Sequence, residues 1–162
     1  MRVILAGMAA ALLVAGGGPR ARSYLQPGGA ADTTADARNR MAKALLDSLG
    51  DRASLPAESI WTNLKTGLKK VPARQLIAIM NQGYGRSLGV TCTFCHVPNH
   101  YDREDSTAKQ VAREMAAMSA RINQELLAAI PNLKGPNPVI NCTTCHRGQV
   151  KPALNLDDAG PQ

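Results

Sequence analysis

The chain has 162 residues, four cysteines and a formal charge of +7. That length suits one domain rather than two. Without the first 23 residues, which carry Arg2, Arg20 and Arg22 but no acid, the balance falls to 16 basic against 12 acidic residues. So small an excess excludes nucleic acid as the partner that the basic isoelectric point first suggests.

Met1-Arg2 is a short basic stretch and Val3 to Ala15 an apolar run. A bilayer-spanning helix needs about 20 apolar residues, so residues 1–23 read as a cleaved signal peptide. A periplasmic or otherwise exported location is expected. Residues 24–57 read as an N-terminal linker and a short helix. The linker is rich in Gly, Ala, Asp and Thr. The helix runs from Asp36 to about Leu49, with Met41, Leu45 and Leu49 at four-residue spacing and Gly50 just past its end. Nothing in it suggests chemistry, and Met41 reads as a packing residue.

Glu58 to Leu68, with Ile60, Trp61 and Leu64, is expected to form a second helix. Pro72 opens a third, since proline is preorganised for the first helical position. Leu76, Ile77, Ile79 and Met80 give it an apolar side, and Gly83 and Gly85 close it. The clearest helix runs from about Ser106 to Ile130. Val111, Met115, Met118, Ile122, Leu126 and Ala129 fall on one face. Asp105 or Ser106 can cap it and Pro131 stops it. Residues 132–141 form an extended Gly- and Pro-rich loop, and residues 153–162 an irregular tail. No strand pattern of useful length occurs, so the fold class is all-α.

All four cysteines fall in two pentapeptides, Cys92-Thr93-Phe94-Cys95-His96 and Cys142-Thr143-Thr144-Cys145-His146. C-x-x-C-H is the attachment signature of c-type haem. Two thiols three residues apart add to the two vinyl groups of one porphyrin, and the next residue, His, is held under the iron. A zinc ribbon normally has about 15–20 residues between its pairs, whereas 46 separate Cys95 from Cys142. A redox C-x-x-C would need a βαβ context. A disulfide across two residues closes too small a loop to restrain the chain much. Two covalently bound haem c groups are therefore expected, on Cys92 and Cys95 and on Cys142 and Cys145. His96 and His146 would each give one ligand to an iron. Residues 58–152 are the expected dihaem cytochrome c domain. The few aromatics, Trp61, Phe94, Tyr24, Tyr84 and Tyr101, fit a core that haem faces help to fill. For the opposite iron faces, Met41, Met80, Met115, Met118 and His100 are the candidates.

Ser87-Leu88-Gly89-Val90-Thr91-Cys92-Thr93-Phe94-Cys95-His96 resembles a haem-binding segment of the cytochrome c subunit of photosynthetic reaction centres. Asn141 to Gly148 resembles another, and Met118-Ser119-Ala120-Arg121-Ile122-Asn123 is similar to the family's ligand helix. The resemblance covers about Glu58 to Gly148 and implies helix–turn–C-x-x-C-H units joined by long loops. It implies Met80 opposite His96 and Met118 opposite His146. The family's reaction-centre members bind four haems, and this chain carries two motifs, so it resembles one half of that repeated subunit.

The expected function is single-electron transfer between redox protein partners, a membrane-bound complex or a soluble carrier, without catalysis. By the same analogy a homodimer would join two haem pairs. The alternative is a dihaem enzyme such as a peroxidase with one open haem, for which His100 is the one feature. Lys65, Lys69, Lys70, Arg74 and Arg86 lie in a stretch without acids between Ile60 and Tyr101 and would steer an acidic redox partner.

Overall fold

The computed structural model describes residues 33–155 except 66, 105, 134, 136 and 137. The expected signal peptide, the linker up to residue 32, and the tail beyond 155 lie outside the described residues. Among the described residues the elements are helical, and there is no strand beyond two isolated bridge pairs. None of these helices is long and apolar enough to cross a membrane.

Helix α1 spans Thr33–Leu49. Gly50, at φ 54°, ends it and opens a 3-10 turn, Gly50–Ser54. The expected helix over 58–68 does not form. Its place is taken by a short 3-10 turn, Ala57–Ser59, and irregular turns. The cause is a clasp at its two ends. The amide of Ala57 donates to the carbonyl of Val71 and that of Ala73 to Leu55, both at 2.8 Å, and Glu58 donates to Lys69 at 3.0 Å. These bonds hold the two ends of the segment side by side, whereas an 11-residue helix would keep them about 16 Å apart.

Helix α2 (Ala73–Ala78) follows Pro72 as expected. It runs without a break into a π-helical segment, Ile79–Gly85, and then α3 (Arg86–Leu88). Gly83 and Gly85 therefore do not end the rod. Gly89 does, at φ 66°, the left-handed conformation that glycine adopts without penalty. α1 packs along α2 and the π segment.

Helix α4 spans Thr107–Arg121 and also passes into a π-helical segment, Ile122–Leu127. Ser106 holds the extended N-cap conformation, but its side chain makes no capping bond. π-helical turns are rare and concentrate at functional sites. Here one includes Met80 and the other starts four residues after Met118. Helix α5 is the second pentapeptide, Cys142–His146. Asn141 caps it reciprocally with Thr144: the Thr144 amide donates to Asn141 Oδ1 at 3.2 Å and the Asn141 amide to Thr144 Oγ1 at 3.0 Å.

Buried apolar side chains among the described residues are Ala42, Ala57, Ala73, Leu76 and Ile77, mostly small. The apolar stripe of α4 and the π segment that continues it is poorly covered: Val111, Met115, Met118 and Leu126 are exposed and Ile122 is half-buried. The described residues enclose little of their own apolar surface and are arranged around a cavity.

Candidate functional site

That cavity lies between α1, the α2–α3 rod, the first pentapeptide and the start of α4. Its volume is about 160 Å³, and it opens to solvent on one side. Cys92, Cys95 and His96 line it, and Met80 lines it from the π segment. Met41, Ala42 and Leu45 of α1 line it as well, so a helix that suggests no chemistry in the sequence forms one of its walls.

The first pentapeptide is folded as a 3-10 turn, Cys92–Phe94, closed by His96 donating its amide to the Cys92 carbonyl at 3.0 Å. One tight turn sets both thiols and the imidazole on the same short piece of backbone. The His96 Nδ1 lies 2.9 Å from the Tyr101 carbonyl. A carbonyl only accepts, so Nδ1 carries the proton and Nε2 keeps its lone pair for a metal. Burial pushes the His96 pKa down, and Lys109 and Arg113 add to that against an opposing pull from the Tyr101 bond. The neutral, ligating form is thereby favoured. Burial pushes both the Cys92 and Cys95 thiols up. The four thiols are not paired with one another. Among the described residues no three His, Cys, Asp or Glu side chains converge as a metal-binding group.

The second pentapeptide repeats the device in the open. His146 Nδ1 lies 3.1 Å from the Gln149 carbonyl. Cys142 and His146 are half-buried, Cys145 is exposed, and Met118 is 46% exposed. What ties the Met118 turn to this motif is Asn123. Its amide nitrogen donates to the Ile140 carbonyl at 2.9 Å, and its oxygen accepts from the Ile140 amide at 2.8 Å. Ile140 stands two residues before Cys142, so the bidentate tie fixes the loop against the helix that carries Met118.

The second motif packs against the end of the rod that leads into the first, which the sequence did not reveal. α3 packs on α5. The Gly148 amide donates to the Ser87 carbonyl at 2.8 Å, and the buried Ser87 hydroxyl lies 2.7 Å from the Thr143 hydroxyl. A Cβ on Gly89 would meet the Gly148 carbonyl, so the close approach requires glycine. Tyr84 lines the first cavity; burial pushes its phenol up, with a smaller push from Cys142 of the second motif. His100 is exposed in the turn after the first motif and outside the cavity wall.

The residues present fit haem c: paired thiols at the attachment spacing, an imidazole with its outer nitrogen free, a thioether at the cavity wall, and mostly apolar walls. The sequence also matches, over residues 27–157, the family described as photosynthetic reaction centre cytochrome C subunit. Cytochrome c-554 of Chloroflexus aurantiacus is 31% identical over 54% of this chain and 20% of its own length. The photosynthetic reaction center cytochrome c subunit of Rubrivivax gelatinosus is 29% identical over 56% of this chain and 28% of its own length. The chain thus spans a fifth to just over a quarter of these relatives. A helical fold, a cavity walled by one C-x-x-C-H motif and a second motif abutting it agree with that match, and the chain belongs to the photosynthetic reaction centre cytochrome c subunit family of multihaem, covalently haem-binding electron-transfer proteins.

Proposed function

We propose that this protein is an exported dihaem electron carrier. Cys92 and Cys95 hold one haem and Cys142 and Cys145 the other. His96 and Met80 would ligate the first iron, His146 and Met118 the second. The observation that carries the reading is the cavity that Cys92, Cys95, His96 and Met80 line together. When bound, haem c supplies a reversible one-electron iron couple, and the protein sets its ligands and exclusion of water. The chain's own part is to hold each Nδ1 proton on a backbone carbonyl, offer thioether sulfur and shield the first site.

A carrier fits better than a dihaem enzyme. The peroxidase reading needs a distal group such as His100, and that side chain is exposed away from the cavity. The partner is a redox protein, a membrane-bound complex or a soluble carrier. A homodimer joining two haem pairs rests on the half-subunit analogy alone. The experiment is the intact mass of protein made in a host that attaches haem. We expect the processed chain plus two haems under denaturing conditions; a mass with one haem or none refutes the dihaem reading.

A further inference from the structure

Arg38, on α1, is 4% exposed. Its Nε donates to Asn81 Oδ1 at 2.9 Å and its Nη1 to the Val90 carbonyl at 3.4 Å. Asn81 is held in turn by donating to Asn39 Oδ1 at 2.9 Å. Gly85 makes room for the arginine: a Cβ there would run into the Arg38 Cδ. The side chain is thus clamped from α1, the π segment and Val90, and it lines the cavity beside Cys92. Its charge acts on the Cys92 thiol.

Among the described residues no carboxylate forms an ion pair with it. The neighbouring cation Arg113 is different, since Glu104 holds it at 2.7 Å. A buried guanidinium has five N–H donors in a rigid fork suited to a carboxylate. An unpaired buried charge is strongly unfavourable, and burial is tolerated when an opposite charge arrives with good geometry. The clamp uses neutral acceptors and leaves the cation uncompensated on the wall of a cavity. The occupant that balances it is an anion.

We propose that Arg38 binds a carboxylate of the haem held at Cys92 and Cys95, and that its charge raises the reduction potential of that haem. Haem carries two propionates, and a positive charge close by disfavours the more positive ferric state. Arg38 is a positioning and tuning residue, not an iron ligand. The inference rests on the haem reading of the first motif. Peptide mapping of haem on the Cys92–His96 segment tests that reading separately.

The experiment is a potentiometric titration of the haem-loaded wild type, Arg38→Gln and Arg38→Lys. The first haem is recognised as the step that also moves in Met80→His. In Arg38→Gln the constant for reducing that haem should fall about tenfold, which is about 59 mV for one electron. The other step should stay put. Arg38→Lys keeps the charge, so its first-haem constant should remain within about twofold of wild type. Its propionate bending bands in resonance Raman should shift, because the fork is lost. Equal falls in Gln and Lys, or no fall in Gln, would overturn the proposal while leaving the haem assignment intact. Should Arg38→Gln fail to load haem, Arg38→Lys decides: retention supports the proposal and a tenfold fall refutes it.

Discussion

Methionine 118 and methionine 115 lie three residues apart on one stripe of α4, at 46% and 43% exposure, so burial does not distinguish them. Three residues displace a helical side chain by about 4.5 Å along the axis, more than a bond to iron absorbs. The Asn123 tether is five residues past Met118 and fixes the register of that turn against the second motif. Replacing Met118 with Leu should remove a methionine–iron charge-transfer band and open one haem to added imidazole. Met115→Leu should preserve the band and destabilise by under ~1.5 kcal/mol, as such volume-conserving swaps do. Visible spectra of the two variants separate the outcomes. A second residue-scale prediction concerns Gly89. Alanine there must adopt φ 66° and press its Cβ on the Gly148 carbonyl. Holding a non-glycine residue in such a region costs about 1–3 kcal/mol. Thermal unfolding of Gly89→Ala should therefore move down, whereas Gly67→Ala, which meets nothing within 4 Å, should not lose stability by contact.

At the scale of elements, the start of α4 is pinned to the loop after Ala57–Ser59 by one acid. Glu104 accepts from Arg113 at 2.7 Å, lies 3.5 Å from Lys65, and accepts from Asn63. Asn63, Lys65 and Arg113 also line the cavity, so the cluster shapes its mouth. The Arg113 hydrogen bond, more than any other contact, holds the Glu104 carboxyl well below the usual range. A depressed carboxylate stabilises the fold fully above its ordinary value near pH 4–5, and the contribution fades as pH falls through the folded value. Glu104→Gln should therefore lower stability at pH 7 by under about 1 kcal/mol, because the pair is solvent-screened. Urea midpoints of wild type and variant should converge as pH is lowered. A gap that stays constant down to acid pH would assign the loss to packing instead. The two π-helical segments belong to the same scale. Each sits in a rod that carries a proposed methionine ligand, but Met80 lies within the first and Met118 four residues before the second.

For the whole molecule, Lys69, Lys70, Arg74 and Arg86 remain exposed, while Lys65 is shared with Glu104. If the exposed set guides an acidic redox partner, bimolecular electron-transfer rates should fall with salt, since screening acts over about 8–10 Å at physiological strength. Stopped-flow rates across an ionic-strength series, with Lys69→Glu and Lys70→Glu, test this. Rates insensitive to both would remove the basic face as a docking site. The contact of α3 and α5 gives the molecule its other global property. Ser87 and Gly89, just before the first motif, bond to and closely approach Thr143 and Gly148 of the second, so the two sites share one seam rather than hanging on separate loops.

Attachment chemistry and helix class were legible without coordinates because both are short-range. Two thiols and an imidazole in five residues encode their geometry in their own spacing, and the stripe from Val111 to Leu126 repeats with the helical period. The helix from Pro72 was legible for the same reason, though its end was not. Gly83 and Gly85 carry the mark of a terminator, but Gly85 stays helical and instead admits Arg38, a residue 47 positions earlier. Residues 58–68 have an apolar pattern that suggests a helix, and the pairing of Leu55 and Ala57 with Val71 and Ala73 overrides it. The wall formed by α1, the tie from Asn123 to Ile140 and the seam between the motifs all join residues distant along the chain. Local propensity cannot encode such contacts; the folded backbone decides them by bringing donors, acceptors and glycines within bonding reach.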